Sequence, residues 1–213
     1  MKLKNYKFIL WDWNGTLLDD VDAGVAIING MLSKRKMKTI GGKDDYRKLF
    51  RFPVSDYYKK VGFDFKKESF EVLSEEYIAA YNKQELKLFP FVKQTLAAVK
   101  EKNITQLILS ASERTLLKKQ VKQLGLDGFF TDFITLDNIY AAGKTASAQQ
   151  WLSKSAVNPQ DVLIVGDTLH DLDVARTIGC DCILIDGGHQ DLSAAKASGA
   201  TVVNSVTKVL NYH

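Results

Sequence analysis

The amino-acid sequence predicts an α/β fold with a parallel sheet and an inserted all-helical domain. Two observations lead to this prediction. From about residue 90 onward, short apolar runs alternate with helical segments, and the runs are continuously apolar, which is typical of strands covered on both faces. Residues 20–88, by contrast, have helical patterns and no convincing strand. Because crossovers between parallel strands are right-handed, few arrangements other than a Rossmann-like sheet remain.

Each element follows from its local pattern along the chain. Strands are predicted at residues 6–12, 106–110, 133–136, 162–165, 182–185 and 201–204. Helices are predicted around this sheet at 90–102, 113–124, 144–154, 169–178 and 191–198, and in the insertion at 21–35, 43–51, 54–61 and 67–83. These boundaries predict a core domain of residues 1–19 and 89–213 and a helical domain of residues 20–88, which we call the cap. An insertion after the first strand lies over the carboxyl edge of the sheet, where a lid belongs.

Composition argues against several classes of function. The chain has 213 residues, is 46% hydrophobic and 25% charged, and carries a net charge of +4. Its basic residues are scattered among acids, so no nucleic-acid partner is expected, and no apolar run approaches the roughly 20 residues of a membrane span. The apolar run after the basic N-terminus is too short for a signal peptide. Cys180 and Cys182 are expected to be reduced, buried thiols rather than a disulfide or a zinc site. We therefore expect a cytoplasmic protein.

Two of the apolar runs stop at a carboxylate. FILWD ends at Asp12, and VLIVGD ends at Asp167. The carboxyl ends of parallel strands share one edge of the sheet, where ligands bind, so both acids can surround one ion. Taken singly, each motif has a structural alternative: the Asn-Gly pair after Asp12 favours a tight turn, and Thr168 and Asp171 have capping-box spacing. Together the motifs predict a metal-dependent active site.

Two further segments suggest an anionic ligand. Lys144 lies at the predicted start of a helix, where a cation is unfavourable because it opposes the helix dipole. This position is easier to understand if the lysine binds an anion. Ser110 and Ser112 end a predicted strand, and the amides around Ala111 can bind phosphate oxygens ahead of a helix N-terminus. For Ser110 alone, a simple cap of the following helix is the better explanation.

Taken in chain order, DWNGTL, LILS, Lys144 and GDTLHD resemble the four motifs of the haloacid dehalogenase superfamily, in particular its phosphoglycolate-phosphatase-like branch. The resemblance covers essentially the whole chain, because that branch also carries a helical cap between its first two motifs. The pairing of the first and fourth motifs is specific, whereas the second and third are weak by themselves. The resemblance implies a Mg²⁺-dependent hydrolase of a small phosphorylated metabolite, present as a monomer or a homodimer.

The resemblance also implies a role for each motif residue. Asp12 would attack phosphorus and form an aspartyl-phosphate. Mg²⁺ would be held by Asp12, Asp167 and the backbone carbonyl of Asn14, and Asp171 would orient metal-bound water or the metal ligands. The residues implied or proposed to bind the substrate are Gly15, Thr16, Ser110, Ala111, Lys144, Asp171 and Arg51. Of these, Arg51 is our candidate for an anionic leaving group, and its alternative is an ordinary surface arginine.

Position 14 departs from the family pattern. Phosphatases of this group usually carry an aspartate there, as general acid and base, whereas this chain has Asn14. An amide cannot exchange a proton near neutral pH, and general acid–base help contributes about 100- to 10,000-fold. Turnover of esters with poor leaving groups is therefore in doubt, although metal binding should survive. The alternative is a catalytically weakened relative that acts as a phosphate-ligand-binding or regulatory protein.

The remaining suggestive residues have weaker interpretations. GKT at 143–145 lacks P-loop spacing, because Asn138 stands where the first glycine of that motif belongs. His170 and His189 are expected to be exposed loop residues without a role. The cap tyrosines are expected to pack its interior; they are Tyr57, Tyr58, Tyr77 and Tyr81.

Overall fold

A computed structural model describes residues 3–136 and 144–212 and contains a six-stranded sheet in the order β3-β2-β1-β4-β5-β6. The strands are β1 (Phe8–Trp11), β2 (Thr105–Glu113), β3 (Asp132–Leu136), β4 (Val162–Gly166), β5 (Asp181–Ile185) and β6 (Val202–Val203). All of their pairings are parallel. The predicted α/β fold with a parallel sheet and inserted helices is therefore confirmed.

The helices connect the strands as crossovers. Between β1 and β2 lie α1 (Val21–Lys34), α2 (Lys43–Leu49), α3 (Val54–Val61), α4 (Phe70–Tyr81) and α5 (Val92–Glu101). Those that follow are α6 (Arg114–Gln123), α7 (Thr145–Ser155), α8 (Leu169–Ile178) and α9 (Ser193–Ala197). Helices α1 to α4 lie within the segments predicted to be helical. The division into domains at residues 20 and 88 stays a prediction.

Both faces of the sheet are covered, which explains the continuously apolar strands. In β1, Ile9 and Trp11 belong to the core cluster that also contains the buried residues of α5 and α6. The intervening Leu10 belongs to a second cluster with residues of α7 and α8. Successive side chains of a strand point to opposite faces, so a strand between two helical layers has no polar side.

The cap helices are joined by ion pairs as well as by apolar packing. Ile28 and Leu32 of α1 are fully buried in the same cluster as Leu73 of α4. The Arg35 guanidinium, just after α1, donates to Glu68 and to Glu76.

Within the part of the chain that the structure describes, no helix is both long and apolar enough to cross a bilayer.

The end of β2 differs from the prediction. The strand continues past residue 110 to Glu113, with an irregular register opposite β3. The Glu113 carboxylate caps α6 by accepting hydrogen bonds from the amides of Thr115 and Leu116. The explanation of Ser110 as the helix cap is therefore wrong, and Ser110 is left for another role.

Candidate active site

Three buried carboxylates meet where β1 and β4 end. Asp12 follows β1, and its backbone amide donates to the Val165 carbonyl of β4 at 2.8 Å. Asp167 follows β4, and Asp171 lies in the first turn of α8. Oxygens of Asp12, Asp167 and Asp171 all lie within 4.8 Å of one another. The structure thus brings together both carboxylates that the sequence places at strand ends.

Lys144 is the cation of this cluster. It directly precedes α7 and is 2% exposed. Its Nζ lies 2.5 Å from Asp12 Oδ1 and 2.6 Å from Asp171 Oδ1. Burial by itself lowers the pKa of Lys144, but the carboxylates of Asp12 and Asp171 raise it above its ordinary value. The lysine therefore stays charged at neutral pH.

Three buried carboxyl groups share one lysine in this cluster. Burial raises the pKa of Asp12 well above its usual range, although Lys144 opposes this. Burial likewise raises the pKa of Asp167, against the opposing charge of His189. For Asp171 the attraction of Lys144 and hydrogen bonds outweigh burial, and its pKa is lowered. A divalent cation would favour the ionised form of these carboxyl groups, and their oxygens are the kind of ligand that a hard cation prefers.

A glycine turn carries the chain from β1 past the Asp167 carboxylate. Gly15 has a φ of +73°, and a Cβ there would lie 2.3 Å from Asp167 Oδ2. Only glycine combines this backbone conformation with so close an approach. The next residue, Thr16, donates from Oγ1 to Asp167 Oδ1 at 2.9 Å. The sequence NGT after Asp12 therefore positions the second carboxylate.

Asn14 is held by hydrogen bonds on both ends of its amide. Its Nδ2 donates to Asp20 Oδ2 at 2.7 Å and to the Tyr81 hydroxyl at 2.8 Å. Its Oδ1 accepts from Ser112 Oγ at 3.1 Å. The Tyr81 hydroxyl itself donates to Asp20 at 2.7 Å. Tyr81 therefore contacts the site in addition to packing in the cap, as expected.

His189 is buried, contrary to the expectation of an exposed loop residue. Its Nε2 lies 3.0 Å from Asp20 Oδ1, and its Nδ1 lies 2.8 Å from the Tyr46 hydroxyl. Its backbone amide donates to Asp167 Oδ2 at 2.6 Å. Burial lowers the pKa of His189, but Asp20 more than compensates and brings it to about 9. Sequence reasoning missed this Asp20–His189 ion pair.

The only sequence signal for His189 is the glycine pair before it. A Cβ at Gly188 would lie 2.2 Å from Asp167 Oδ2, so the backbone passes directly over the site. Arg47 of α2 holds the same loop, because its guanidinium donates to the carbonyls of Gly187 at 2.6 Å and Gly188 at 2.9 Å. Arg47 was not predicted either, since nothing local marks a contact across 140 residues.

The other predicted residues divide into two groups. Ser110 is 2% exposed, its Oγ accepts from the Ser112 amide at 3.1 Å, and it lines the same cavity as Ala111 and Lys144. Arg51 is exposed, and its Nε donates only to the Leu49 carbonyl at 3.4 Å among the described groups. The structure therefore does not bring Arg51 to the other site residues.

His170 also differs from the expectation of an exposed loop residue. It lies in the first turn of α8 and is partly buried. Its Nε2 accepts a hydrogen bond from the Lys144 amide at 3.2 Å. Its ring stacks on Phe52 of the cap with centroids 4.8 Å apart. His170 thus joins the segment that carries Lys144 to the cap.

A cavity of about 570 Å³ opens beside Asp12 of the carboxylate cluster. Its floor contains Asp12, Asn14, Ser110 and Lys144. The opposite wall is formed by aromatic side chains of the cap, which are Phe50, Phe52, Tyr57, Tyr58, Phe70, Tyr77 and Tyr81. Pockets for small molecules usually measure about 300–1,000 Å³.

Residues 9–185 match the model of a family described as haloacid dehalogenase-like hydrolases. The chain belongs to this family. The match spans β1 to β5, so it contains all four motifs and the cap. The predicted resemblance, and the prediction that the chain is a hydrolytic enzyme of this family, are confirmed.

Two relatives of this haloacid dehalogenase-like hydrolase are phosphoglycolate phosphatases by name. The one from Synechococcus elongatus is 23% identical over 190 residues, which are 89% of this chain and 88% of the relative. The one from Aquifex aeolicus is 27% identical over 199 residues, which are 88% of each chain. A haloacid dehalogenase-like hydrolase from Streptococcus pneumoniae superposes with a TM-score of 0.83 at 20% identity, over 98% of both chains. That structural similarity establishes a shared fold.

Proposed function

We propose that the protein is a Mg²⁺-dependent phosphomonoester hydrolase that acts on a small phosphorylated metabolite through an aspartyl-phosphate intermediate. The observation that carries this proposal is the contact between Asp12 and Lys144 within a cluster of buried carboxylates at the cavity floor. A buried ammonium next to a nucleophilic carboxylate offsets the repulsion between that carboxylate and a phosphate dianion. The names of the relatives support the coarser statement that the protein is a phosphatase.

Asp12 is the nucleophile in this proposal. One of its carboxylate oxygens attacks phosphorus and forms an O–P bond, while the bond between phosphorus and the ester oxygen breaks. The departing alkoxide takes a proton from solvent water and leaves as an alcohol. In the second step a water molecule attacks the same phosphorus and loses a proton to the solvent. The bond between phosphorus and the Asp12 oxygen breaks, so that inorganic phosphate leaves and the Asp12 carboxylate is regenerated.

Lys144, Ser110 and the backbone amide of Ala111 bind the phosphoryl oxygens. All three residues line the cavity together with Asp12. Asp171 keeps Lys144 in position, because its Oδ1 accepts from Lys144 while its Oδ2 accepts from the amide and hydroxyl of Thr168. A preorganised ammonium costs little reorganisation when charge develops on the phosphoryl oxygens.

The carboxylate cluster suits Mg²⁺. Asp12, Asp167 and the backbone carbonyl of Asn14 would hold the ion, since it prefers hard oxygen ligands. When bound, it would neutralise charge on the phosphoryl group and favour the ionised form of Asp12. Thr16 and the His189 amide orient the Asp167 carboxylate for this purpose.

The prediction of a cytoplasmic protein without nucleic-acid or membrane partners is retained.

A second candidate function follows from Asn14. Its amide is engaged by Asp20, Tyr81 and Ser112 and cannot donate a proton to a leaving group. A relative that keeps the phosphate and metal site but turns over slowly would act as a phosphate-ligand-binding or regulatory protein.

Phosphate release from an activated aryl phosphate distinguishes the two functions, because its leaving group needs little protonation. We expect Mg²⁺-dependent release from p-nitrophenyl phosphate by the native chain, and its loss in Asp12→Asn. Calorimetric binding of inorganic phosphate by the native chain serves as the second measurement. Phosphate binding without any Mg²⁺-dependent turnover of the aryl ester would instead support the binding or regulatory function.

A further inference from the structure

The cap side of the cavity is apolar and aromatic. Phe50, Phe52 and Phe70 lie on this wall beside tyrosine rings, and neighbouring rings of the wall are in contact; Phe50 and Tyr57, for example, have centroids 5.3 Å apart. Ile78 of α4 and Val54 of α3 add aliphatic groups to the wall, beside the hydroxyl-bearing Ser55 and Ser74. Such a surface binds apolar, flat groups through burial and ring–ring contact.

Cations are scarce around this cavity. Among the described residues that line it, the cationic side chains are Lys144 and His189. Lys144 contacts Asp12 and Asp171, and His189 contacts Asp20, so each is already paired with carboxylate. Glu113 adds a further negative charge to the lining. A carboxylate on the leaving group would therefore meet no free cation among the described residues of this lining.

Two neighbouring segments, Arg51 and the residues before Lys144, add no cation to the described lining. Arg51, between cavity residues Phe50 and Phe52, is exposed and does not line the cavity. Residues 137–143, which precede Lys144, have the sequence DNIYAAG and contain no Lys, Arg or His. A buried carboxylate without a partner is strongly disfavoured, whereas an aromatic ring is stabilised by the same wall.

We propose that the natural leaving group is an uncharged alcohol that bears an aromatic ring, rather than a short acid such as glycolate. This proposal rests on the proposed phosphatase function. The size of the cavity agrees with it, because glycolate would occupy only a small part of about 570 Å³. The phosphoryl group binds at the charged floor, and the ring binds against the cap.

The test compares two alkyl esters that place similar demands on leaving-group protonation, 2-phenylethyl phosphate and 2-phosphoglycolate. With the full chain and Mg²⁺, kcat/KM for the phenylethyl ester should be higher by at least about tenfold, a cautious fraction of what burial of a phenyl ring contributes. The variant Asp12→Asn cannot hydrolyse either ester, so calorimetry can measure its affinity for both. It should bind 2-phenylethyl phosphate more tightly than 2-phosphoglycolate, even if the native chain turns over alkyl esters slowly. Equal or tighter binding of phosphoglycolate would overturn the proposal.

A pair of variants on α4 then tests the charge argument. Ile78 lines the cavity, whereas Val72 of the same helix is 51% exposed and does not line it. Ile78→Lys should shift the preference toward 2-phosphoglycolate by about tenfold, and Val72→Lys should leave the preference unchanged. Melting temperatures of both variants verify folding. An Ile78→Lys variant that folds and shows no shift contradicts the proposal.

Failure of the underlying function has a different signature. If the protein is not a phosphatase, no phosphate is released from any ester, p-nitrophenyl phosphate included. If only the specificity proposal is wrong, p-nitrophenyl phosphate is hydrolysed but phosphoglycolate is bound at least as tightly as the phenylethyl ester.

Discussion

At the scale of single residues, the site is organised around Asp20 as well as around the motif residues. This carboxylate accepts hydrogen bonds from Asn14, Tyr81 and the Gly15 amide and forms an ion pair with His189. An aspartate at position 14 would face Asp20 at hydrogen-bond distance, and two such carboxylates cannot both be ionised. The amide of Asn14 is therefore compatible with a buried Asp20, which gives a physical reason for the departure from the family pattern.

The variant Asn14→Asp tests whether a missing acid limits turnover. The new carboxyl group would lie close to Asp20, where the Asn14 amide now donates at 2.7 Å. Because two carboxylates so close cannot both be ionised, one of them holds a proton that a leaving group can take. We expect alkyl-ester turnover to rise at least about tenfold, a cautious fraction of the usual acid–base contribution. Initial rates with an alkyl and an aryl phosphate measure this effect.

The exchange variant Asn14→Asp/Asp20→Asn is the matched control, because it keeps the net charge and one amide–carboxylate contact. It relieves the carboxylate–carboxylate contact of the single variant but also loses the ion pair between Asp20 and His189. Activity should vanish in both backgrounds when Asp12→Asn is added. An unchanged alkyl rate in Asn14→Asp, with Mg²⁺ binding intact, would mean that proton donation is not limiting.

The Asp20–His189 ion pair predicts a pH-dependent stability. The pKa of His189 is raised from 6.5 to about 9, so its contribution is fully present below about pH 6.5 and is lost as pH rises through about 9. A pKa shift of this size corresponds to about 3 kcal/mol of unfolding free energy. Without metal and with a chelator present, the melting temperature should fall between pH 7 and pH 10.

His189→Gln is the control for this prediction. It should lower the melting temperature at pH 7 and flatten its decline toward pH 10, because glutamine does not titrate. If the melting temperatures of the native chain and the variant fall in parallel with pH, the ion pair is excluded as the cause of the decline.

At the scale of elements, the turn between β1 and α1 depends on one glycine. Gly15→Ala combines a positive φ with a Cβ contact of 2.3 Å to Asp167. We expect this variant to lose about 1–3 kcal/mol of unfolding free energy and to bind Mg²⁺ more weakly, because Asp167 must move. Denaturant unfolding and calorimetry measure both effects.

Gly30→Ala is its matched control. Gly30 lies within α1, and a Cβ there would have no heavy atom within 4 Å. Alanine in a helix interior is favoured over glycine by about 0.5–1 kcal/mol, so this variant should be more stable than the native chain. Similar losses in the two variants would show that the tight turn at Gly15 has no special cost.

At the scale of the whole molecule, a metal links two parts of the chain that are distant in sequence. Asp12 and Asp167 are contributed by the first and fourth strands, and their mutual repulsion opposes folding without a cation. Ligand binding to the folded state alone stabilises it, by about 2.7 kcal/mol at 100 times the dissociation constant. Mg²⁺ should therefore raise the melting temperature of the native chain.

Asp167→Asn should remove most of this Mg²⁺-dependent increase. Asp127→Asn is the control, because Asp127 is exposed and lies outside the carboxylate cluster. It should respond to Mg²⁺ like the native chain. An Asp167→Asn variant that keeps the full increase would assign the ion to another place.

Sequence patterns alone predict the parallel sheet, the inserted helices and the meeting of Asp12 with Asp167. Hydrophobic periodicity is local, and parallel strands bring their carboxyl ends to one edge whatever the details of packing. The positions of His189, Arg47 and Arg51 depend instead on long-range packing. His189 reaches Asp20 across 169 residues, and Arg47 reaches Gly187 across 140. Such contacts depend on how the cap helices pack over the sheet, which no local pattern records.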